Sequence, residues 1–378
     1  MIALVTYSAV QIAVYSLFGV FTAAAFESYG LTVPWWACSY AALGLVLICG
    51  QRNIAFSGAI LGVCMVAEVA ILFLLDVAIL YRGGFPEGLS FSSFAPADVF
   101  VPGLGAALVF VVGSFIGFEA TAIFGEEAVD PKKTISRATY VAVISITVFY
   151  AFSTWAIVQY YGPSKVQEIA NAGLDSFFFR ASDAVLGAWS GKAMNLLLIT
   201  SLFACVLSLH NTINRYFFAL GREGLAMKML GRVHDRHGSP YVAGLFQSLV
   251  AAVILALFIG SGADPYTVIF SWMSALTVIG ILSVQALVSV AIIHYFRKND
   301  HGHTVWTTTV APLAAFFGLL AMLGLVISNL PLLAGSESWI VASFPYDILV
   351  VGLLGMAFAS RIRTQRPDVY ARLGKAFE

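Results

Sequence analysis

The most informative stretch of this chain reads Gly113-Ser114-Phe115-Ile116-Gly117-Phe118-Glu119. It places two glycines and a carboxylate in the middle of a segment that is otherwise apolar enough to cross a lipid bilayer. We expect the helix to break here, because glycine weakens a helix and a carboxylate is costly in hydrocarbon. A break inside a bilayer is tolerated only where the freed backbone groups line a protein-enclosed cavity, so an interrupted span marks a candidate binding site.

Composition places the chain among membrane proteins. Of its 378 residues, 60% are hydrophobic and 11% are charged, and the mean hydropathy is +0.89. These charges are too few to solvate a water-soluble globule of this size. A spanning helix needs roughly 20 apolar residues. Runs near that length predict an all-α polytopic membrane protein with about ten transmembrane helices, at 2–26, 34–50, 54–80, 103–125, 137–161, 190–217, 240–260, 267–296, 308–330 and 346–361.

Lysine and arginine residues are distributed unevenly between the two sides of this ten-helix topology. Sixteen of the 20 fall on one side, and the other side carries Arg82, Lys165, Arg180 and Lys192. By the positive-inside rule the richer side is cytoplasmic. We therefore expect a multi-pass protein of the plasma membrane with both termini in the cytoplasm. The topology accounts for the basic loops, so they indicate no nucleic-acid partner.

The sequence patterns of several other functional classes are absent from this chain. No phosphate-binding loop, zinc-protease pattern or nucleophile elbow occurs, so the sequence predicts neither ATP hydrolysis nor an enzyme. The four cysteines lie within or at the ends of apolar runs and are interpreted as core residues. Two histidine pairs stand in polar loops without a neighbouring Cys or acidic cluster, so neither a metal site nor a cofactor is expected. His210, inside the sixth span, is interpreted as an inter-helix hydrogen-bonding residue.

Two carboxylates stand inside predicted spans, away from the span ends. Glu68 lies near the middle of the third span, and Glu119 lies beside the predicted break. Burial disfavours the charged form of a carboxyl group, so each is a candidate proton carrier between the two sides of the membrane. The alternative for each is a buried hydrogen bond that fixes helix packing. Asp76 follows Glu68 by two turns, toward the outer end of the same span.

Longer motifs carry a family resemblance. After residues 113–120 come Gly125-Glu126-Glu127, Asp130-Pro131 and Ser136-Arg137-Ala138. Together they resemble the sixth transmembrane helix and following loop of the amino acid-polyamine-organocation (APC) permease superfamily. The family's eighth helix and its following cytoplasmic loop are similar to Asn211-x-x-Asn214-Arg215, Ala219-Leu220-Gly221-Arg222-Glu223-Gly224 and His234-Asp235-Arg236-His237-Gly238-Ser239-Pro240. The resemblance extends over nearly all of the chain.

This resemblance implies the LeuT-type fold, which has two inverted repeats of five helices, two additional helices and a site near the membrane midplane. Three predicted spans precede the segment that resembles the sixth helix, where the family has five. We therefore expect that the chain lacks the family's first two helices. On this assignment a single permease domain covers 1–378. Residues 1–81 form the remainder of the first repeat, 101–296 the second repeat, 306–361 the additional helices and 362–378 a cytoplasmic tail.

The family builds its substrate site from breaks in its first and sixth helices. By resemblance, the second break and its candidate substrate contacts are Gly113, Ser114, Phe115, Ile116 and Gly117. Amino-acid antiporters of the family often carry a large aromatic residue before the serine, whereas Gly113 stands here and leaves room for a bulkier substrate. Gln11 and Tyr15 fall at a depth where the family's third helix faces the site, although helix packing also explains polar residues there.

The function that the resemblance implies is secondary active transport. The expected substrate is a small molecule, an amino acid or a related amine, moved across the cytoplasmic membrane by alternating access and coupled to protons or to exchange. Sodium as the coupling ion stays open. So does a competing class, a truncated membrane protein that does not transport or a partner subunit. Residues 162–190 are expected either to hold short helices that act as a lid or to form a plain solvated connection.

Overall fold

The computed structural model describes residues 1–52, 55–84, 87–101, 103–123, 130–173, 176–298 and 304–373. Within these ranges all regular secondary structure is helical. Ten apolar helices follow the predicted spans in order: α1 (Ile2–Glu27), α2 (Trp35–Gln51), α3 (Ala55–Tyr81), α4 (Leu104–Ser114), α5 (Pro131–Tyr161), α6 (Ala188–Arg222), α7 (Tyr241–Gly260), α8 (Ser271–Lys298), α9 (Ala311–Ser328) and α10 (Trp339–Gln365). The predicted all-α polytopic fold is confirmed.

Helix length separates these ten into two groups. Eight of the helices in the described ranges are long and apolar enough to cross a membrane, and α2 and α4 are shorter. Helix α2 has 17 residues, slightly fewer than the roughly 20 that a perpendicular span needs. Helix α4 has 11 residues because the span predicted at 103–125 is interrupted. The expectation of about ten spans thus corresponds to eight long helices and two shorter ones.

Several helices extend past the predicted apolar runs. Helix α5 begins at Pro131, where the side chain of Asp130 accepts a hydrogen bond from the backbone N–H of Lys133. Helix α10 begins at Trp339, ahead of the predicted run at 346–361, and continues through Pro345. A proline removes one backbone donor from a helix, and its neighbour Phe344 is buried in a core cluster that holds this turn in place. Apolar runs therefore locate the spans but underestimate helix length.

Helix α1 is the centre of the bundle. It packs against α2, α6 and α8, and buried residues occur along much of its length. One core cluster joins α1 to α2, α6 and α7 around Tyr15, Val46 and Leu255. A second joins α8 to α4, α9 and α10 around Val278 and Phe344. The two clusters place α1 and α8 inside the bundle and leave the outer faces of α7 and α9 at its periphery.

Large apolar side chains on that periphery are exposed. Leu257 on α7 is 68% exposed, and Phe317 on α9 is 61% exposed. A water-soluble protein rarely leaves extended apolar faces in contact with solvent. The chain is therefore a multi-pass membrane protein whose outward faces contact lipid.

The connection between α5 and α6 contains two short helices, Val166–Ala172 and Phe177–Leu186. This confirms the expectation of short helices within 162–190. The second of them contacts α3 and α5, and its residues Ala181 and Val185 join a third core cluster with both of those helices. It covers one end of α3, and its role as a lid stays a prediction.

Candidate functional site

The predicted break in the fourth span is present. Helix α4 ends at Ser114, residues 115–119 form a turn, and a short helix, Ala120–Ile123, follows. Gly117 has a φ of +119°, which side-chain-bearing residues rarely adopt, so the turn requires glycine at this position. Gly113 instead lies in the last turn of α4 and faces α8, where an added Cβ would lie 3.5 Å from Cγ2 of Val278. The glycine that permits the break is therefore Gly117.

Glu119 holds this turn through both of its carboxylate oxygens. Oε2 accepts a hydrogen bond of 2.9 Å from the backbone N–H of Gly117. Oε1 accepts a hydrogen bond of 3.0 Å from the hydroxyl of Tyr7 on α1. The carboxylate thus satisfies a backbone group that the break has freed and ties the turn to a neighbouring helix. The ring of Tyr216 on α6 lies 5.8 Å from the ring of Tyr7, so two tyrosines surround this carboxylate.

The other side of the turn faces α5. The hydroxyl of Tyr150 donates a long hydrogen bond of 3.4 Å to the carbonyl oxygen of Ser114. Its ring packs edge-on against Phe115, with the centroids 6.0 Å apart. Ser114 and Gly117 are exposed, whereas Ile116 packs against the core clusters that contain Tyr7 and residues of α8. Ile116 therefore anchors the turn, and Ser114 and Gly117 are its accessible positions.

Glu68 lies in the neighbourhood of Tyr150, which contacts the break. Glu68 is half-buried on α3 and accepts a hydrogen bond from the side chain of Ser201 on α6. It also lies close enough to Tyr150 for its charge to act on the phenol group. Since Tyr150 contacts Ser114, the packing of α3, α5 and α6 brings the second predicted proton carrier into the surroundings of the break.

Gln11 and Tyr15 lie deeper in the bundle. Gln11 is 1% exposed and Tyr15 is fully buried. Neither Nε2 of Gln11 nor the hydroxyl of Tyr15 has a hydrogen-bond partner among the residues that the structure describes. Both follow Tyr7 along one face of α1, because residues four apart lie one above the other on a helix. Tyr7, Gln11 and Tyr15 form a polar stripe, which begins at Glu119 and leads into the core.

Two tyrosines that the sequence did not indicate contact the break. Tyr7 stands four residues before Gln11, so the helical spacing that relates Gln11 to Tyr15 also includes Tyr7 and would have found it. Tyr150 gives a weaker signal, because an aromatic residue in an apolar run is most often an ordinary packing residue. Its contact with Ser114 depends on how α5 packs against the turn.

A family model that matches most of the chain decides the family. The model of a family described as amino acid permease matches residues 1–354. The chain belongs to the amino acid permease family. The resemblance to the APC superfamily is thereby confirmed.

Individual relatives are transporters of several amino acid classes. The chain is 25% identical over 223 residues to the branched-chain amino acid permease BcaP of Bacillus subtilis (strain 168), a match that covers 59% of this chain and 44% of the relative. It is 27% identical over 230 residues to the gamma-aminobutyric acid permease of Escherichia coli (strain K12), with 59% and 48% covered. It is 28% identical over 209 residues to the large neutral amino acids transporter small subunit 2 of Homo sapiens, with 53% and 36% covered. The chain spans less than half the length of these relatives.

Proposed function

We propose that this amino acid permease family member is a secondary active transporter, which moves an amino acid or related amine across the plasma membrane by alternating access. The observation that carries the proposal is the interrupted helix at 115–119, whose turn is held by Glu119 and whose Ser114 and Gly117 are accessible. The names of the relatives support an amino acid as substrate, since they cover branched-chain, large neutral and gamma-amino acids. They differ among themselves, so the substrate within this class is open.

The chemistry around the turn suits an amino acid. Such a ligand needs hydrogen-bond donors for its carboxylate, an acceptor for its ammonium group and apolar surface for its side chain. In this conformation the Ser114 hydroxyl donates to the Phe110 carbonyl and the Gly117 N–H donates to Glu119, so a substrate carboxylate would have to replace these acceptors. The Phe115 and Tyr150 rings provide an apolar wall. A carboxylate has about four acceptor sites, so Glu119 retains capacity for an ammonium group beside its bonds to Gly117 and Tyr7.

The polar stripe on α1 supports alternating access from this turn. Buried polar groups in proteins nearly always have partners, yet Nε2 of Gln11 and the hydroxyl of Tyr15 have none within the described ranges. A polar ligand group that moved from the turn toward the core would satisfy them. Gln11 and Tyr15 are therefore proposed as contacts of the substrate at a later stage of the transport cycle than Ser114 and Gly117.

Glu119 is the proposed proton carrier, with Glu68 as the next candidate. Protonation of Glu119 would weaken its capacity to accept hydrogen bonds from the Gly117 N–H and from Tyr7. The turn and α1 would then separate more easily, which links a proton to a conformational change. Glu68 acts on the same region through Tyr150, so its protonation would affect the turn less directly.

Reconstitution into liposomes tests the function. We expect saturable uptake of at least one of labelled leucine, serine and gamma-aminobutyric acid under an imposed pH gradient. We expect Glu119→Gln to keep exchange of labelled for unlabelled substrate and to lose accumulation driven by the gradient. Accumulation that Glu119→Gln leaves unchanged would remove Glu119 from the coupling mechanism and make Glu68→Gln the next variant. Protein that is inserted but transports none of the three would contradict the proposed function and favour a partner subunit.

The proposed topology places both termini in the cytoplasm and divides the helices as the family does. Helices α1 to α3 then belong to the first repeat, α4 to α8 to the second repeat, and α9 and α10 form the additional pair. Cysteine labelling tests the sides. Asp235 and Ser164 are both exposed, whereas Ser239 is buried and unsuitable. In intact cells an impermeant thiol reagent should modify Ser164→Cys and spare Asp235→Cys, and the reverse pattern would overturn the topology.

A further inference from the structure

Asp76 is the most deeply buried carboxylate in the described part of the chain. It lies on α3, within an apolar span, and is 1% exposed. Oδ2 accepts a hydrogen bond of 2.5 Å from the hydroxyl of Ser153 on α5. Oδ1 has no hydrogen-bond partner among the described residues. Within the described part of the chain, one neutral hydroxyl is therefore the only hydrogen-bond partner of its side chain.

No basic side chain among the described residues forms a salt bridge with Asp76. Helix α3 packs against α5, α6 and the helix Phe177–Leu186. Several of their ionisable groups make other contacts or are exposed. Arg82 donates to the carbonyl of Val185, and Asp183 accepts from the N–H of Gly191. Glu68 accepts from Ser201, and Tyr150 contacts Ser114. Arg180 lies near Tyr161, and Lys192 is exposed. Tyr160 and Tyr161 belong to the apolar cluster above Asp76. An ionised carboxylate without a cation is strongly disfavoured in such surroundings.

A cavity lies at the end of α3 next to Arg82. It has a volume of about 380 Å³, and Arg82, Lys165, Tyr160, Tyr161 and Val185 are among its lining residues. Two of these side chains are cationic. Arg82 and Lys165 are both on the predicted outer side, so the cavity opens outward in the proposed topology.

Apolar side chains lie between the turn of α3 that carries Asp76 and Val185 at the cavity wall. Ile79 lies one turn beyond Asp76 on α3, and Ile157 lies one turn beyond Ser153 on α5. Ile79 and Ile157 are buried and pack in one cluster with Val185, which also lines the cavity. A movement of α3, α5 or the helix Phe177–Leu186 that separated these three side chains would open a path from the cavity toward Asp76.

We propose that Asp76 holds a proton in this conformation and exchanges it with the side of the membrane onto which the cavity at Arg82 opens. The reaction is the reversible protonation of the carboxylate, with water in the cavity as the proton donor and acceptor. Asp76 is then a second coupling group, remote from the substrate turn, and Ser153 is its positioning residue. Its role in coupling rests on the proposed transport function, whereas its protonation does not.

Infrared difference spectroscopy on the purified protein tests the protonation. Spectra recorded across a pH titration should contain the carbonyl band of a protonated carboxyl group at neutral pH. The band should shift when aspartate is labelled with ¹³C and vanish in Asp76→Asn. Asp347→Asn is the matched control, since Asp347 also accepts a hydrogen bond from a serine, Ser343 at 2.8 Å, but is exposed. It should keep the band.

Two results would overturn the proposal that Asp76 is protonated. One is a spectrum of the wild-type protein with no aspartate band at neutral pH, and the other is a band that persists in Asp76→Asn. If Asp76→Asn does not fold, Ser153→Ala replaces it. Loss of the Ser153 hydroxyl should move the aspartate band to a different frequency, and an unmoved band would assign it to another residue.

Transport in liposomes tests the coupling. Asp76→Asn should retain exchange of labelled substrate and lose accumulation driven by a pH gradient, while Asp347→Asn should retain both. Accumulation by Asp76→Asn at the wild-type level would overturn the coupling role. If the wild-type protein transports no amino acid, the proposed function fails by itself, and the infrared titration still decides whether Asp76 carries a proton.

Discussion

The hydroxyl of Tyr7 donates a hydrogen bond of 3.0 Å to Oε1 of Glu119, across 112 residues of sequence. This bond connects the central helix α1 to the turn that interrupts the fourth span. Because Glu119 also accepts the N–H of Gly117, the three residues act together to hold the break in one conformation.

Removal of the Tyr7 hydroxyl is expected to destabilise the protein. Tyr7→Phe keeps the ring contacts with Ile213 and Ile281 but removes a hydrogen bond to a charged group, which contributes about 1.5 to 3 kcal/mol. The measurement is the thermal unfolding midpoint in detergent. Tyr216→Phe is the control, because its ring lies 5.8 Å from that of Tyr7 and no hydrogen bond to Glu119 is described for it. Equal losses in the two variants would contradict a specific bond.

A side chain at Gly117 is expected to strain the turn. An added Cβ would meet no atom within 4 Å, but the φ of +119° is unfavourable for any other residue. Gly117→Ala should therefore cost about 1 to 3 kcal/mol of stability through the backbone alone. Gly318→Ala on α9 is the control, since it also has no atom within 4 Å and alanine favours a helix. Its unfolding midpoint should stay or rise, and a similar fall in both variants would argue against a strained turn.

The crossing of α2 and α6 is expected to require glycine at position 50. A Cβ on Gly50 would lie 2.5 Å from Nε2 of His210. The His210 ring is fully buried and is paired with Gln247 at Nδ1, so it has little room to move. Overpacking of this kind costs about 1 to 3 kcal/mol, which should lower the unfolding midpoint of Gly50→Ala. Gly44→Ala on the same helix meets no atom within 4 Å and should have no such effect.

Stability at acidic pH is expected to depend on Asp264. Its Oδ1 accepts the N–H of Thr267 at 2.7 Å, the Thr267 hydroxyl at 2.8 Å and the N–H of Tyr266 at 3.0 Å. These bonds, the one from the Thr267 N–H foremost, hold the pKa of the Asp264 carboxyl below its usual range. Asp264 therefore stabilises the fold above its unfolded pKa of about 3.9. That contribution is lost as the pH falls through the folded pKa.

The test of this pH dependence is Asp264→Asn, which can still cap the helical segment Pro265–Phe270 ahead of α8 but carries no charge. The wild-type protein should exceed the variant in unfolding midpoint near neutral pH. The difference should shrink as the pH is lowered below about 4. A difference that stays constant across this range would show that the charge of Asp264 is not involved.

The helices and the break follow from the sequence because both depend on local composition. Apolar runs gave the positions of all ten helices, and a carboxylate beside glycines gave the interruption near Ser114. Which glycine opens the helix was not predictable, since Gly113 remains helical and only Gly117 takes a positive φ. That choice depends on how α4 packs against α8, which the local sequence does not contain.

The contacts of the candidate site depend on tertiary packing. Glu119 was predicted from its position, but its partner Tyr7 lies 112 residues away. Gln11 and Tyr15 were placed by family resemblance, and they lie along the same stripe but beyond the turn. For Asp76 the sequence gives a carboxylate in an apolar run, whereas its burial and its bond to Ser153 require the packing of α3 on α5.

Protection of a cysteine at the break tests the central claim, that the turn at 115–119 forms part of an amino acid site. The four native cysteines are replaced by alanine, and Ser114→Cys, at an exposed position, is modified with a hydrophilic thiol reagent. If the turn binds the substrate, saturating leucine, serine or gamma-aminobutyric acid should slow this modification. Modification of Asp98→Cys, at an exposed position of the short helix Pro96–Val99, should not change. If none of the three changes the rate of thiol modification at Ser114→Cys relative to Asp98→Cys, the turn at 115–119 is not a binding site for these substrates.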